Sequence, residues 1–248
     1  MHEHELWLTA FFNDHLSGFA NSILSAVRMT AANPERPWQN WFVMELLVVA
    51  ILVILLPIVR SGFSVDKPGK MQHLFELTYQ FMGDQIRDVG IAHGEKYIPY
   101  FGTLFIFILF MNLIGVIPTF ESPTMSPAVP LGLAICTFIY YHAKGVKEQG
   151  VGHYLLHFVG PIPALALLMV PIEITGHFAR PMSLTIRLYA NMFAGEQVIT
   201  AFLGLTYFII PAIFMGLHVF VAFLQAYIFT LLSMIYVGMA TEHSDNPA

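Results

Sequence analysis

The chain has 248 residues, of which 56% are hydrophobic and only 11% are charged, and its formal net charge is −5. A composition this apolar excludes an ordinary soluble domain and is typical of an integral membrane protein. The lack of a basic excess argues against nucleic acid as a partner, and the single Cys136 excludes an internal disulfide.

The first forty residues contain no predicted membrane span. Apolar residues recur every three or four positions between residues 5 and 29, which predicts an amphipathic helix. Such a helix lies either at the membrane surface or against the rest of the protein, and the sequence leaves both open. We predict an N-terminal extracytoplasmic or interfacial segment over residues 1–40 and a single membrane domain over residues 41–248.

Three predicted spans follow, at residues 41–59, 97–117 and 128–141. The third is slightly short, and the sequence leaves its extension to either side open. Residues 70–89 mix apolar and charged side chains and are too polar to span, which predicts an amphipathic helix in the membrane plane. After residue 141 we expect a hydrophilic loop that contains Lys144, Lys147 and Glu148.

The last part of the chain is a predicted helical hairpin over about residues 163–240. As one helix, residues 163–204 would be about 60 Å long, twice the hydrocarbon thickness of about 30 Å. That helix must therefore tilt steeply, or bend at Pro171 or Pro181. The predicted fold class is an all-α polytopic membrane protein with about five crossings, one in-plane helix and a long, tilted terminal hairpin.

Basic residues predict the orientation. The 60–97 segment contains five Lys or Arg residues and the 142–160 segment contains two, whereas residues 118–127 contain none. Cytoplasmic loops carry the excess of Lys and Arg, so both basic segments are expected in the cytoplasm. The N-terminus is then outside and, after five crossings, the C-terminus is cytoplasmic.

Polar residues interrupt the first helix of the hairpin. A cation at mid-membrane depth costs about 3 kcal/mol, so a side chain such as Arg187 normally faces a partner or a water-filled path. Six polar residues occur along this helix. At 100° per residue, five of them lie within about 80° of one another and form a polar stripe, and Glu196 lies opposite Arg187. The alternative, that Arg187 only snorkels or forms a packing ion pair, fits this alignment less well. The six residues are Glu173, His177, Arg180, Arg187, Asn191 and Glu196.

Residues equidistant from the turn of an antiparallel hairpin lie side by side. Arg187 mirrors Gln225 about position 206, and Glu196 mirrors His218 about position 207. We expect Gln225 to bond or hold water beside Arg187, and Glu196 and His218 to exchange a proton. Simple packing of two polar residues between helices is the alternative for the Glu196–His218 pair.

Glu173 and Glu196 lie at opposite depths, about 21 Å and 14 Å from Arg187 along the helix axis. This arrangement predicts two aqueous half-paths that do not join. A fixed guanidinium repels protons and does not exchange them, so a proton would cross only on a moving carboxylate of a partner.

Four segments resemble subunit a of the F-type ATP synthase: PIEITGHFARP (171–181), SLTIRLYANMFAGE (183–196), LQAYIF (224–229) and FMNLIGVIP (110–118). The resemblance extends from about residue 41 to 243. It implies a non-catalytic stator subunit, without a cofactor, that couples proton flow to ATP synthesis in an energy-transducing membrane, here the bacterial inner membrane. The implied partners are a c-ring of small, carboxylate-bearing two-helix subunits and the b subunits of the peripheral stalk.

The resemblance also implies residue roles. Arg187 matches the essential arginine, and Glu173 matches the carboxylate on the inner side. His177 is added from the polar stripe alone. The residues that match the outer half-channel are Asn191, Glu196, His218 and Gln225.

Other functions remain open at this point. One is a Na⁺-translocating form of the same subunit, and another is a self-contained proton-coupled transporter, although the sequence has no internal repeat. A membrane di-iron oxygenase would need several histidine clusters, and the sequence has one, at His153 and His157 with His142 nearby. The HExxH motif of an intramembrane zinc protease is absent from the sequence.

Overall fold

The computed structural model describes residues 5–26, 28, 33–64, 69–91, 94–117, 119–152, 154, 166–205 and 209–241. All regular secondary structure in these residues is helical, which confirms the predicted all-α fold class. Seven α-helices have defined bounds: α1 (Trp7–Ala26), α2 (Asn40–Ser61), α3 (Lys70–Asp88), α4 (Ile98–Ile114), α5 (Ala128–Gln149), α6 (Ala166–Leu205) and α7 (Ile209–Thr241). Short 3-10 turns lie at Gly94–Tyr97 and Pro123–Met125.

Helix α1 presents its polar side to the protein and its apolar side outward. Asn13 is buried, and its side chain bonds the backbone N–H and carbonyl of Trp38 just before α2. Trp7, Phe11 and Phe19 are exposed on the other side. A helix that packs through polar groups and exposes aromatic rings has the polarity expected beside lipid.

Helix α5 differs from the prediction. It continues to Gln149, so the residues predicted as a hydrophilic loop are helical. Lys and Glu are good helix formers, and a helix can extend beyond the membrane where its polar side chains find partners. Glu148 pairs with Lys96, and Gln149 donates a hydrogen bond to the Ala240 carbonyl at 3.1 Å. The polar side chains of this segment favoured a loop in the prediction, but these residues extend the helix.

Helix α6 runs unbroken for 40 residues through Pro171 and Pro181. Each proline lacks the N–H that would continue the helical ladder. Four residues after each proline, a threonine hydroxyl donates to the proline carbonyl, from Thr175 at 2.7 Å and Thr185 at 2.8 Å. The long first helix of the hairpin is therefore confirmed. The residues of its turn, 206–208, lie outside the described part of the chain.

Three stretches within the described residues are long and apolar enough to cross a membrane: Asn40–Ser61, Gly94–Ile114 and Ile209–Thr241. They make the protein a multi-pass membrane protein. Helix α6, which contains Glu173, Arg180, Arg187 and Glu196, is not among these stretches.

The core lies around α7, which packs against α4, α5 and α6. Apolar residues from all four helices are fully buried there, including Phe101, Leu188, Phe229 and Met234. Because α6 packs against both α5 and α7, its polar residues are held at fixed positions on a well-packed support.

Candidate functional site

The polar stripe of α6 lies at the boundary between a packed face and an exposed face. Leu184, Leu188 and Met192 are buried, and they lie about 60–140° around the helix from Arg187. Arg187 and Glu196 flank this packed face from opposite sides. Met182 and Ile186 are 60% and 58% exposed on the other face of the helix.

The two arginines of the stripe have different surroundings. Arg180 Nη2 lies 3.8 Å from Glu173 Oε1, and its guanidinium lies 5.4 Å from the centre of the Tyr236 ring on α7. Arg187 makes only a long hydrogen bond within the described residues, 3.4 Å from Nη2 to Ser183 Oγ, and forms no ion pair there. The charge of Arg180 is therefore balanced within the chain, whereas that of Arg187 is not.

The surface beside Arg187 forms a shallow, open groove along α6. An open cavity of about 510 Å³ is lined by two polar residues, Arg187 and Ser183, and by apolar side chains of Ala179, Met182 and Ile186. A cation at the edge of an apolar groove can receive a carboxylate brought by an apolar partner surface.

Glu173 and His177 form one partly buried cluster with α5. His177 Nε2 lies 3.2 Å from Glu173 Oε1, and its Nδ1 lies 2.8 Å from the Tyr141 hydroxyl. The His142 ring lies 4.9 Å from the His177 ring, and His142 Nδ1 lies 2.6 Å from the Tyr154 hydroxyl. Helical angles relate residues on one helix only, so they did not predict Tyr141 and His142 of α5 as partners of His177.

Helices α6 and α7 pair about a midpoint that lies one to two residues further along the chain than predicted. Asn191 Nδ2 donates to Gln225 Oε1 at 2.7 Å, and these residues are equidistant from position 208. Arg180 with Tyr236, and the stacked rings of Phe202 and Phe214, have the same midpoint. The expected partner of Gln225 was Arg187, but the Gln225 carbonyl bonds Asn191 instead.

His218 lies against the residue next to Glu196. A Cβ placed on Gly195 would be 2.4 Å from His218 Nδ1, so only glycine admits the ring there. Within the described residues neither ring nitrogen of buried His218 has a hydrogen-bond partner, and no bond joins it to Glu196. Gln225 Nε2 is also buried and has no hydrogen-bond partner among the described residues. Unpaired buried polar atoms of this kind are suited to ordered water.

The predicted site residues thus form two groups along the hairpin. Glu173, His177 and Arg180 form the first group with α5, and the second contains Asn191, Gln225, His218 and Glu196, with Arg187 between the two. Within the described residues no three metal-ligating side chains cluster. The side chains of Glu173, His177 and His142, although close together, are not placed to hold a metal ion. The histidine pair of the oxygenase hypothesis, at positions 153 and 157, lies outside the described residues.

Comparison with known proteins gives one consistent result. Residues 42–238 match the family model described as ATP synthase A chain. The chain is 57% identical over 232 residues to ATP synthase subunit a of Solibacter usitatus, which covers 94% of this chain and 99% of the relative. It is 47% identical over 241 residues to ATP synthase subunit a of Koribacter versatilis, which covers 97% and 98%.

Proposed function

We propose that this chain, which belongs to the ATP synthase A chain family, is the stator subunit that passes protons to and from a rotating c-ring. The chain itself catalyses no reaction in this proposal. It controls proton movement, and ATP is made in the catalytic head of the same complex. Each proton that crosses 100 mV releases about 2.3 kcal/mol, so several must cross for each ATP.

The unbalanced charge of Arg187 supports this proposal most directly. A guanidinium in an apolar helix is stable beside a counter-charge or water, and the described residues offer Arg187 no carboxylate. A carboxylate of the c-ring would supply the counter-charge when it enters the groove of Ala179, Met182 and Ile186. As an anion it is attracted to Arg187, and it leaves after it takes a proton from the next path.

The two groups of polar residues would form the two half-paths. Asn191, Glu196, His218 and Gln225 would serve the outer path, where the unpaired atoms of His218 and Gln225 suit water. Glu173 and His177 would serve the inner path, since the imidazole bridges Glu173 and Tyr141. Arg187 separates the paths because a fixed cation repels protons.

The remaining assignments follow from the same proposal. The hairpin of α6 and α7 faces the ring, and b subunits of the peripheral stalk hold the protein against rotation. The N-terminus lies outside and the C-terminus in the cytoplasm of a bacterial inner membrane, as the basic segments indicate. Residues 1–40 form the extracytoplasmic or interfacial segment that precedes the membrane domain.

Replacement of Arg187 by alanine tests the proposal in the assembled complex. In proteoliposomes, Arg187→Ala should abolish proton-driven ATP synthesis and should let protons leak, because the barrier between the paths is gone. Lys147→Ala, on the exposed end of α5, is a matched control that removes a cation outside the site. ATP synthesis at the wild-type rate in Arg187→Ala would refute the proposal.

A second measurement separates the proposal from a self-contained transporter. The purified chain alone and the chain with its ring are reconstituted in parallel. The proposal requires proton conduction with the ring and none without it. Conduction by the isolated chain would favour the transporter. Replacement of external H⁺ by Na⁺ as the driving ion then identifies which ion is used.

A further inference from the structure

A buried chain of hydrogen bonds joins the segment between α4 and α5 to α7. Ser122 Oγ donates to the Met111 carbonyl at 2.9 Å and lies 2.7 Å from Thr124 Oγ1. Thr124 Oγ1 donates to Asn112 Oδ1 at 2.8 Å, and Asn112 Nδ2 donates to the Ala222 carbonyl at 3.1 Å. Asn112 and Thr124 are 0% exposed, and Ser122 is 3% exposed.

These bonds are costly to break where they lie. A buried polar group without its partner costs about 1–3 kcal/mol, and here loss of one hydroxyl would leave more than one group unpaired. The loop is also held from the α4 side, because a Cβ on Gly115 would lie 2.9 Å from the Ser122 nitrogen. Asn112 is therefore a fixed support for the part of α7 that it contacts.

Ala222 lies on the same face of α7 as two residues of the proposed outer path. It follows His218 by four residues and precedes Gln225 by three, so the three lie within about 60° around the helix. All three are buried. A rotation or shift of α7 at Ala222 would therefore move His218 relative to Gly195, and Gln225 relative to Asn191.

We infer that Asn112 is a positioning residue of the outer path, and that Thr124 holds it in place. Asn112 fixes the rotation and depth of α7, so that His218 stays against Gly195 and Gln225 stays bonded to Asn191. Neither Asn112 nor Thr124 touches the proton in this inference. It rests on the proposed function, since it concerns how the outer path is held.

Thr124→Val tests the inference because it removes the hydroxyl and keeps the shape of the side chain. Thr124→Ser keeps the hydroxyl and should restore the wild-type behaviour. Thr230→Val is the matched control, since Thr230 is also 0% exposed but, among the described residues, its hydroxyl bonds only the Ala226 carbonyl of its own helix. The complexes are purified with their ring, and proton conduction is measured over a series of outer pH values and of inner pH values.

In Thr124→Val, conduction should fall by about tenfold, since small displacements at a reacting group have large effects. The dependence on outer pH should change, and the dependence on inner pH should stay as in the wild type. The double variant Thr124→Val with His218→Ala should lose less conduction, relative to the wild type, than the product of the two single-variant losses. The losses overlap because both substitutions act at His218.

Equal conduction by Thr124→Val and Thr230→Val would overturn the inference. A loss of conduction that only follows the amount of assembled complex, with an unchanged outer-pH profile, would also overturn it. So would a double variant with His218→Ala whose loss equals the full product of the two single losses. If the wild-type complex conducts no protons, it is the proposed function that fails. A conducting wild type with an unaffected Thr124→Val refutes the positioning role alone.

Discussion

The contact between Gly195 and His218 allows one prediction to be worked out from the structure. A Cβ on Gly195 would lie 2.4 Å from His218 Nδ1 and 2.9 Å from Cε1, whereas ordinary contacts begin at 3.4 Å. In Gly195→Ala the imidazole ring of His218 must therefore move away by about 1 Å. Protein interiors are closely packed and leave little room for such a movement. A displacement of about 1 Å at a reacting group can lower a rate by about 100-fold. We expect proton conduction to fall by at least about tenfold.

The effect on stability should be much smaller. Overpacking in a core costs about 1–3 kcal/mol, and alanine in a helix interior regains about 1 kcal/mol relative to glycine. Gly176→Ala is the control, because it lies on the same helix and its added Cβ would meet no atom within 4 Å. Both variants gain helix propensity, so a difference between them isolates the clash with His218.

Proton conduction is measured in liposomes that contain the membrane sector, after removal of the catalytic head. A potassium diffusion potential drives protons inward, and a fluorescent pH indicator reports the rate. The amount of ring that copurifies with each variant measures assembly. Equal conduction by Gly195→Ala and Gly176→Ala, with normal assembly of both, would refute the role of His218 in the outer path.

Two further predictions use the same assay. Glu196→Gln or His218→Ala should slow proton uptake from the outer side without a leak, because Arg187 remains; proton flux equal to wild type at all outer pH values would contradict a relay role. Tyr141→Phe removes the hydroxyl beside His177 Nδ1 and should change the inner-pH profile alone. Tyr140→Phe, which keeps the neighbouring ring, is its control; the same profile in both variants would contradict a role for that bond.

The hairpin marks how far sequence can predict this site. Periodicity predicted a polar stripe on one side of α6 and an antiparallel partner helix, and the structure has both. The mirror positions were set at 206 and 207, but three contacts are centred on 208. The midpoint depends on the backbone path of the turn and on which side chains interlock. A shift of two residues in the midpoint moves each pairing by four residues, so Asn191 replaces Arg187 as the partner of Gln225.

The cluster around His177 could not be found from one helix. Tyr141 and His142 looked like the apolar end of a span followed by a loop, whereas α5 continues past them and packs against α6. Contacts between residues 36 positions apart depend on helix packing, which single-helix periodicity does not specify. Local patterns found the residues that lie on α6, and tertiary structure supplied their partners.

Arg180 and Arg187 illustrate the same limit where it matters most. They lie within about 20° of each other around α6, so helical periodicity alone does not distinguish which of them separates the two half-paths. The structure separates them by their neighbours. Glu173 lies about two turns before Arg180 and beyond the reach of Arg187, and Tyr236 approaches Arg180 from α7. An arginine neutralised by its own chain has little attraction left for an incoming carboxylate, whereas Arg187 keeps its charge for a partner.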